Sequence, residues 1–246
     1  MKKLIMISLF LVAATGLSLA QEDTAPQSIP LIGSIAPSFT AQSTQGTITF
    51  PEDYGRKWKI LFSHPADYTP VCSSEILAMA TMQQDFDKLG VKLAVVSTDA
   101  LDKHYNWKKS LESVRYNGHE PVKINFPLID DQNKSIARLY GMLHPESPSS
   151  RDVRGVFIID PADKVEAVFF YPNNVGRNMD EIKRTVIALQ TASDYSVLTP
   201  ANWKPGEDVL LPYLKSVDEA LVQSGKENPE FYSLTWYMWY KKLDVK

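Results

Sequence analysis

The segment LFSHPADYTPVCSSE, residues 61–75, connects a predicted β-strand to a predicted α-helix. The apolar run of residues 58–64 predicts a buried strand that breaks at Pro65. From Cys72 onward, apolar residues recur at spacings of three and four, and Gly90 ends this helix. The segment therefore predicts a strand–loop–helix unit, with the only cysteine of the chain at the start of the helix.

The rest of the chain alternates between predicted strands and helices. Strands are predicted at residues 91–97, 155–159 and 165–171, and helices at residues 101–111, 135–140 and 178 to about 192. The last two strands are separated by a turn and predict a hairpin. The alternation indicates an α/β sheet with helices on both faces. The sequence becomes loop-rich after Ser193, which predicts a first domain at residues 21–193 and a smaller one at 194–246.

The first twenty residues have the pattern of a secretory signal peptide. Lys2 and Lys3 precede an apolar run at residues 4–14, and the small residues Ser18 and Ala20 form a cleavage site. The alternative is a membrane anchor, but this run is shorter than the ~20 residues that a spanning helix needs. We expect cleavage after Ala20 and export to the periplasm or the exterior. No later stretch is long and apolar enough to span a membrane, and no membrane partner is predicted.

Composition excludes several classes of function. The chain has 26 basic and 29 acidic residues, and this near balance predicts no nucleic-acid partner. The four histidines are scattered without the spacing of metal ligands, so no metal site is predicted. A single cysteine allows no intramolecular disulfide, and a free thiol in an oxidising compartment suggests a chemical role.

The position of Cys72 suits a reactive thiol. The first turn of a helix presents unpaired N–H groups and the positive end of the helix dipole, which stabilise a thiolate. The thiolate is the nucleophilic form of cysteine. Thr69 lies three residues earlier, and Pro65 and Pro70 stiffen the loop. The alternative is that Cys72 is a small buried hydrophobic residue, as free cysteines often are.

The order Pro65, Thr69, Cys72 matches the motif Pro-x-x-x-Thr-x-x-Cys, and it resembles the active-site motif of the peroxiredoxins. The wider segment resembles the one-cysteine, peroxiredoxin-6-like subgroup, as do RGVFIIDP, YPNNVGRNMDEI and TPANWKPGEDVLLP. The resemblance extends over roughly residues 31–212. It implies a thioredoxin-like fold of the peroxiredoxin type, a small C-terminal α+β dimerisation domain and a homodimer.

The resemblance also implies catalytic roles for four residues. Cys72 matches the peroxidatic cysteine, Thr69 the hydroxyl that holds the peroxide, and Pro65 the proline that shields the pocket. Arg154 matches the arginine that stabilises the thiolate and polarises the O–O bond, a role that a fixed guanidinium suits. The alternative for Arg154 is a surface ion pair with Asp152.

Three further residues match supporting positions. His64 matches a histidine beside the sulfur, and Glu75 and Arg177 match residues that orient Arg154 or the pocket. The alternatives are a structural histidine at His64 and a surface charge at the helix entry for Arg177.

The implied activity is thiol-dependent reduction of hydrogen peroxide and organic hydroperoxides, with a sulfenic acid formed on Cys72. No cofactor is implied. The chain has no resolving cysteine, so an external thiol is needed, either glutathione, another small thiol or a redoxin. The alternatives are a peroxide sensor and a non-catalytic binding or holdase protein. The aromatic stretch at residues 231–240 predicts either a strand of the second domain or a subunit contact.

Overall fold

The computed structural model describes residues 28–147, 150–212 and 230–243. The predicted signal peptide, residues 1–20, lies outside these ranges. The main element is a seven-stranded sheet with the order β2-β1-β5-β4-β3-β6-β7. Its strands are β1 (Phe39–Ser43), β2 (Gly46–Phe50), β3 (Trp58–Ser63), β4 (Val91–Ser97), β5 (Leu128–Asp130), β6 (Arg154–Ile159) and β7 (Val165–Tyr171).

Strand β3 lies inside the sheet and is buried along its whole length. It runs parallel to β4 and antiparallel to β6. Because side chains alternate along a strand, Ile60 and Phe62 join one hydrophobic cluster and Leu61 joins the cluster on the opposite face. The sheet is therefore covered on both faces, as in the predicted thioredoxin-like α/β fold.

In the part of the chain that the structure describes, four α-helices cover the sheet. Helices α1 (Pro70–Lys88), α2 (Leu101–Leu111) and α4 (Met179–Tyr195) contribute to the cluster on one face. Helix α3 (Ser135–Leu139) contributes to the cluster on the other face. The prediction of helices on both faces is confirmed.

Most predicted boundaries agree with the structure to within a few residues. Strand β4 and helix α2 have the predicted bounds. Helix α1 begins at Pro70, two residues before the predicted start, because proline suits the first helical position, where its missing N–H costs nothing. Cys72 still lies in the first turn. Strand β1 was not predicted.

The described residues of the C-terminal region form a three-stranded antiparallel sheet. Its strands, in the order β8-β10-β9, are β8 (Val209–Leu210), β9 (Phe231–Thr235) and β10 (Met238–Lys241). The aromatic stretch therefore forms strands, and Trp239 is buried while Trp236 and Tyr237 are exposed. Trp203 packs with Ala188 of α4, so this region contacts the main domain. The boundary near residue 193 stays a prediction.

Within the described ranges, no helix is both long and apolar enough to cross a bilayer. The same ranges contain no group of three or more His, Cys, Asp or Glu side chains arranged to hold a metal ion.

Candidate active site

The loop at residues 64–69 joins β3 to α1, and we call it the β3–α1 loop. The end of β3 is attached to β6 by Ser63, whose Oγ donates to Val153 O at 2.6 Å and accepts from Gly155 N at 2.8 Å. A Cβ on Gly155 would lie 3.0 Å from Ser63 Oγ, so a residue without a side chain suits this close approach. These contacts bring Arg154, at the start of β6, next to the first turn of α1.

Arg154 contacts the sulfur of Cys72 directly. Its Nη1 lies 3.2 Å from Cys72 Sγ and also donates to Glu75 Oε2 at 2.7 Å. The Nε and Nη2 groups both donate to the carbonyl of Asn173, at 3.2 and 2.6 Å. Cys72 and Arg154 are both buried. The alternative of a surface ion pair with Asp152 is therefore wrong, because Arg154 is buried and pairs with Glu75.

Glu75 and Arg177 complete a buried arginine cluster, which we define as Cys72, Glu75, Arg154 and Arg177. Arg177 Nε and Nη2 donate to the two carboxylate oxygens of Glu75 at 2.9 and 2.8 Å, and its backbone N donates to Oε1 at 2.8 Å. The Nη1 group donates to Gly155 O at 2.7 Å, and the guanidinium lies over the Phe62 ring. Arg177 is buried, so the alternative of a surface charge is wrong.

The arginine cluster contains an excess positive charge. Burial alone would raise the pKa of Glu75, but the charges and hydrogen bonds of Arg177 and the charge of Arg154 outweigh burial and lower this pKa. Glu75 is therefore ionised, and its one negative charge faces two guanidinium groups. A buried charge is costly unless it is paired. Arg154 therefore presents to Cys72 Sγ a positive charge that Glu75 does not balance.

Thr69 and Pro65 belong to the loop before Cys72, and among the described residues their side chains make no hydrogen bond to the arginine cluster. Thr69 Oγ1 donates to Ala66 O at 2.9 Å, and Thr69 O accepts from Ser73 N at 2.9 Å. Pro65 is buried. Thr69 precedes α1, and its side chain makes no cap hydrogen bond. The Thr69 hydroxyl is therefore bonded within the loop, to Ala66.

His64 belongs to a second buried group, the histidine cluster, which we define as His64, Asp67 and His104. Neither ring nitrogen of His64 has a hydrogen-bond partner among the described residues, and the ring packs against Trp107 with a centroid distance of 5.1 Å. Burial lowers the pKa of His64 to about 4, so the ring is neutral at pH 7. Among the described residues no hydrogen bond joins His64 to Cys72, and the place of His64 beside the sulfur stays a prediction.

Asp67 and His104 share a proton. His104 Nε2 lies 3.1 Å from the carbonyl oxygen of Ile129, which can only accept, so Nε2 carries a hydrogen. His104 Nδ1 lies 2.7 Å from Asp67 Oδ2, and this short contact needs a proton between the two atoms. The pair is therefore neutral overall, wherever that proton resides.

Sequence reasoning missed the residues that hold these groups in place. The Asn173 carbonyl binds Arg154, and the Asp67 backbone N donates to Asp99 Oδ2 at 2.6 Å. Asn173 lies in a segment that carried the resemblance, but a backbone carbonyl leaves no signal in the residue type. The contact between Asp67 and His104 joins residues from a loop and a helix, which no local pattern reveals.

The fold and the buried cysteine–arginine site define the class of protein. A thioredoxin-like α/β domain that places a guanidinium on a cysteine in the first turn of a helix is the arrangement of a thiol peroxidase. A model of the AhpC/TSA family matches residues 32–168, and a model of the C-terminal domain of 1-Cys peroxiredoxin matches residues 188–226.

Curated relatives agree with these matches. A peroxiredoxin of Methanosarcina mazei is 46% identical over 215 residues, which cover 87% of this chain and 98% of the relative. A mitochondrial peroxiredoxin of Saccharomyces cerevisiae is 39% identical over 203 residues, 80% of this chain and 76% of the relative. Peroxiredoxin-6 of Pongo abelii is 41% identical over 186 residues, 74% of this chain and 82% of the relative.

Solved structures of peroxiredoxins also match this chain. The yeast mitochondrial 1-Cys peroxiredoxin has a TM-score of 0.75 and 37% identity, covering 87% of this chain and all of the other. A mutant of peroxiredoxin 6 from Arenicola marina has a TM-score of 0.77 and 31% identity, covering 88% and 99%. The chain belongs to the AhpC/TSA family and is of the 1-Cys peroxiredoxin type. It is a thiol-dependent peroxidase with a single cysteine.

Proposed function

We propose that Cys72 is the nucleophile that reduces hydrogen peroxide and organic hydroperoxides. The observation that carries this proposal is the excess positive charge of the arginine cluster, with Arg154 Nη1 at 3.2 Å from Sγ. A fixed guanidinium stabilises the thiolate before the reaction and the negative charge that develops on the leaving oxygen during it. Preorganised buried donors are effective because they need no rearrangement in the transition state.

The first half-reaction transfers one oxygen atom. The thiolate of Cys72 attacks the terminal oxygen of the peroxide, the O–O bond breaks, and the leaving alkoxide or hydroxide takes up a proton. The products are a sulfenic acid on Cys72 and an alcohol or water. Thr69 holds the peroxide, Pro65 keeps bulk water from the sulfur, and Glu75 and Arg177 orient Arg154.

The second half-reaction needs a thiol from outside the chain. The sulfenic acid condenses with that thiol to a mixed disulfide and water, and a second thiol then releases the reduced enzyme and a disulfide product. Cys72 is the only cysteine of the sequence, which supports this route. The solved structure of the yeast mitochondrial relative concerns thiol resolution through glutathione and thioredoxin systems. We infer a reductant of the same kind for this chain.

A peroxide sensor and a non-catalytic binding protein are less well supported. A binding protein needs no guanidinium on its cysteine, nor a carboxylate that orients that guanidinium. A sensor would form a mixed disulfide with a partner and turn over slowly with every reductant.

We propose that the enzyme acts as a homodimer. Two features support this state. Strand β7 lies at an edge of the main sheet, and an exposed strand edge is a template for pairing with a second chain. The hairpin of β9 and β10 exposes Leu234, Trp236 and Tyr237, and exposed aromatic groups are common at interfaces. Sedimentation equilibrium that gives the mass of one chain would contradict the dimer.

We also propose that the enzyme is exported. The support is the order of Lys2 and Lys3, an apolar run and a small-residue site that ends at Ala20. The mass and the first residues of the protein from fractionated cells test this proposal. A protein that keeps its first twenty residues and stays in the cytoplasm would contradict it.

Steady-state turnover tests the proposed function. Purified enzyme is mixed with hydrogen peroxide or cumene hydroperoxide, and peroxide loss is followed with glutathione, thioredoxin or no reductant. We expect consumption that depends on both the enzyme and a thiol, and none with Cys72→Ser. Peroxide loss that persists in Cys72→Ser would contradict the assignment of Cys72.

A further inference from the structure

The β3–α1 loop is attached to the end of strand β4 by Asp99. The backbone N of Asp99 donates to Ser97 Oγ at 3.2 Å, which fixes Asp99 to the last residue of β4. Its side-chain Oδ2 accepts from the backbone N of Asp67, inside the loop, at 2.6 Å. Asp67 and Asp99 are both buried. One carboxylate oxygen therefore connects the middle of the loop to the main sheet.

The other carboxylate oxygen of Asp99 binds two cations. Lys103 Nζ donates to Oδ1 at 2.7 Å, and Arg151 Nη1 donates to the same oxygen at 2.8 Å. Burial alone would raise the pKa of Asp99, but the hydrogen bonds from the two cations and from the loop outweigh burial and lower this pKa. Asp99 is therefore ionised, and its bond to the Asp67 N–H is charge-assisted, which makes it stronger than a bond between neutral groups.

Asp67 is held by α2 as well as by Asp99. Its Oδ2 lies 2.7 Å from Nδ1 of His104, a buried residue of α2. The next residue, Tyr68, has a φ of 59°, in the left-handed region that favours glycine. Such a conformation costs free energy and persists only where surrounding contacts maintain it. The contacts of Asp67 with Asp99 and His104 lie directly before this position and supply that support.

The shape of the loop determines where the Thr69 hydroxyl lies. Thr69 comes two residues after Asp67. Its carbonyl accepts from the backbone N of Ser73 at 2.9 Å, and Ser73 follows Cys72 directly. Its hydroxyl donates to Ala66 O, so the hydroxyl oxygen keeps lone pairs that can accept from a peroxide O–H. A shift of Asp67 would therefore move this acceptor relative to the sulfur.

We propose that Asp99 is a positioning residue for the peroxide step. It holds Asp67, and through Asp67 it keeps the Thr69 hydroxyl where that hydroxyl accepts from the peroxide. The inference rests on the proposed function, in which Thr69 holds the peroxide at Cys72. The sulfur itself is activated by Arg154, which belongs to β6 rather than to the loop. Loss of the Asp99 contact is therefore expected to disturb the binding of the peroxide and to leave the arginine cluster intact.

The test compares single-turnover rate constants of reduced enzyme with hydrogen peroxide. Stopped-flow tryptophan fluorescence follows the reaction, and intact mass counts the oxygen gained. Asp99→Ala removes the acceptor of the Asp67 N–H, and we expect the rate constant to fall about tenfold, the effect of one lost hydrogen bond. Asp99→Ser has a side chain too short to replace this acceptor, so it is expected to behave alike and takes the place of Asp99→Ala if that variant does not fold.

Asp99→Asn separates the attachment of the loop from the charge of the carboxylate. This variant keeps an acceptor oxygen for the Asp67 N–H and loses the negative charge that binds Lys103 and Arg151. Its rate constant should stay within about threefold of the wild type, because the hydrogen bond to the loop is retained.

Asp131→Ala is the matched control. Asp131 is also a buried carboxylate that follows a strand, β5, and its oxygens accept from the backbone N of Ile136 at 2.9 Å and of Ala137 at 2.7 Å, in α3. Helix α3 packs on the face of the sheet opposite to Cys72. Both alanine variants are expected to lower the free energy of unfolding in urea, since each leaves backbone N–H groups unpaired. Only Asp99→Ala should lower the rate constant.

A double-mutant cycle with Thr69 shows whether Asp99 acts through the loop. Thr69→Val removes the hydroxyl, so a residue that works by positioning this hydroxyl has nothing left to position in that variant. We expect Thr69→Val combined with Asp99→Ala to be about as slow as the slower single variant, roughly tenfold below the wild type. Independent effects would multiply to about a hundredfold.

The outcomes separate this inference from the function on which it rests. If the wild type gains no oxygen from peroxide, the peroxidase mechanism fails, and the role of Asp99 fails with it. If the wild type reacts but Asp99→Ala keeps its rate constant, only the positioning role is overturned. Equal losses of rate in Asp99→Ala and Asp131→Ala, or in Asp99→Ala and Asp99→Asn, would also overturn it. Effects of Asp99→Ala and Thr69→Val that multiply would do the same.

Discussion

Two buried polar clusters are built from the loop at residues 64–69, the helix α1 that follows it and their neighbours, and they differ in charge balance. In the arginine cluster, two guanidinium groups face one carboxylate, and the remaining positive charge lies at the sulfur of Cys72. In the histidine cluster, Asp67 and His104 share one proton and balance each other, while His64 is neutral. Both clusters are buried, so burial alone does not identify the reactive one. The unbalanced positive charge of the arginine cluster distinguishes the reactive cluster from the histidine cluster.

The largest expected effect on stability comes from Glu75→Gln in the arginine cluster. The variant leaves two buried guanidinium groups without their carboxylate, and we expect the free energy of unfolding to fall by about 3–5 kcal/mol. Urea unfolding at pH 7 measures this fall in the free energy of unfolding. The control is Glu181→Gln, which breaks the half-exposed ion pair with Arg184, and such pairs contribute roughly 0–1 kcal/mol. Equal small losses in both variants would contradict the assigned role of Glu75.

Arg154→Met tests the charge balance through the reaction rate. The variant removes the donor that lies 3.2 Å from Cys72 Sγ. Arg177 alone then balances the charge of Glu75, so the cluster no longer has an excess positive charge at the sulfur. We expect the rate constant with hydrogen peroxide to fall by about 10²–10³. Arg138→Met is the control, since Arg138 is exposed and its guanidinium donates to the Asn133 carbonyl nearby. A loss of less than tenfold in this rate constant would contradict the proposed role of the Arg154 guanidinium.

The two clusters are expected to lose stability in different pH ranges. The pKa of His64 is about 4 in the folded chain against an ordinary value of 6.5, so the folded state binds fewer protons between these values. Stability is therefore lost as pH falls from about 6.5 to about 4, by up to about 3 kcal/mol for this group. The pKa of Glu75 lies below its ordinary 4.5, so its contribution is lost only below that pH.

His64→Phe separates these ranges. The variant keeps a ring against Trp107 but cannot take up a proton, so we expect the decline between pH 6.5 and 4 to flatten while the loss below pH 4.5 remains. Urea unfolding across the pH range gives the comparison. A pH profile that coincides with that of the wild type would mean that His64 does not contribute this dependence.

Thr69→Val is expected to have the smallest effect. The variant removes the hydroxyl that holds the peroxide and the bond from Oγ1 to Ala66 O. We expect the rate constant with hydrogen peroxide to fall about tenfold, the effect of one lost hydrogen bond. Thr69→Ser keeps the hydroxyl and should stay within a few-fold of the wild type. Equal rate constants in Thr69→Val and Thr69→Ser would mean that the Thr69 hydroxyl does not hold the peroxide.

Local sequence patterns were sufficient for most of the fold. Strand β4 and helix α2 were predicted with their observed bounds, because a continuous apolar run and a clear helical period determine them. Strand β1 was missed because Phe39–Ser43 presents alternating half-buried and exposed positions with little apolar content. Helix α4 continues to Tyr195, past the predicted end, and the chain then turns at Ser196 with φ 51°.

The candidate site was predictable in its residue types but not in its energetics. The resemblance supplied Cys72, Arg154, Glu75 and Arg177, and the structure brings these four together. The excess charge becomes visible only when burial and pairing are known for all of them. The Asn173 carbonyl and the shared proton of Asp67 and His104 depend on contacts between distant segments, which no local pattern encodes.

The most direct test of the charge-balance account is the single turnover of reduced enzyme with one equivalent of hydrogen peroxide. Stopped-flow tryptophan fluorescence follows the reaction, and intact mass counts the oxygen atoms gained. We predict that wild type gains one oxygen much faster than free cysteine reacts, that added thiol removes it, and that Cys72→Ser gains none. A cysteine that reacts no faster than the free amino acid would contradict the claim that the arginine cluster activates Cys72.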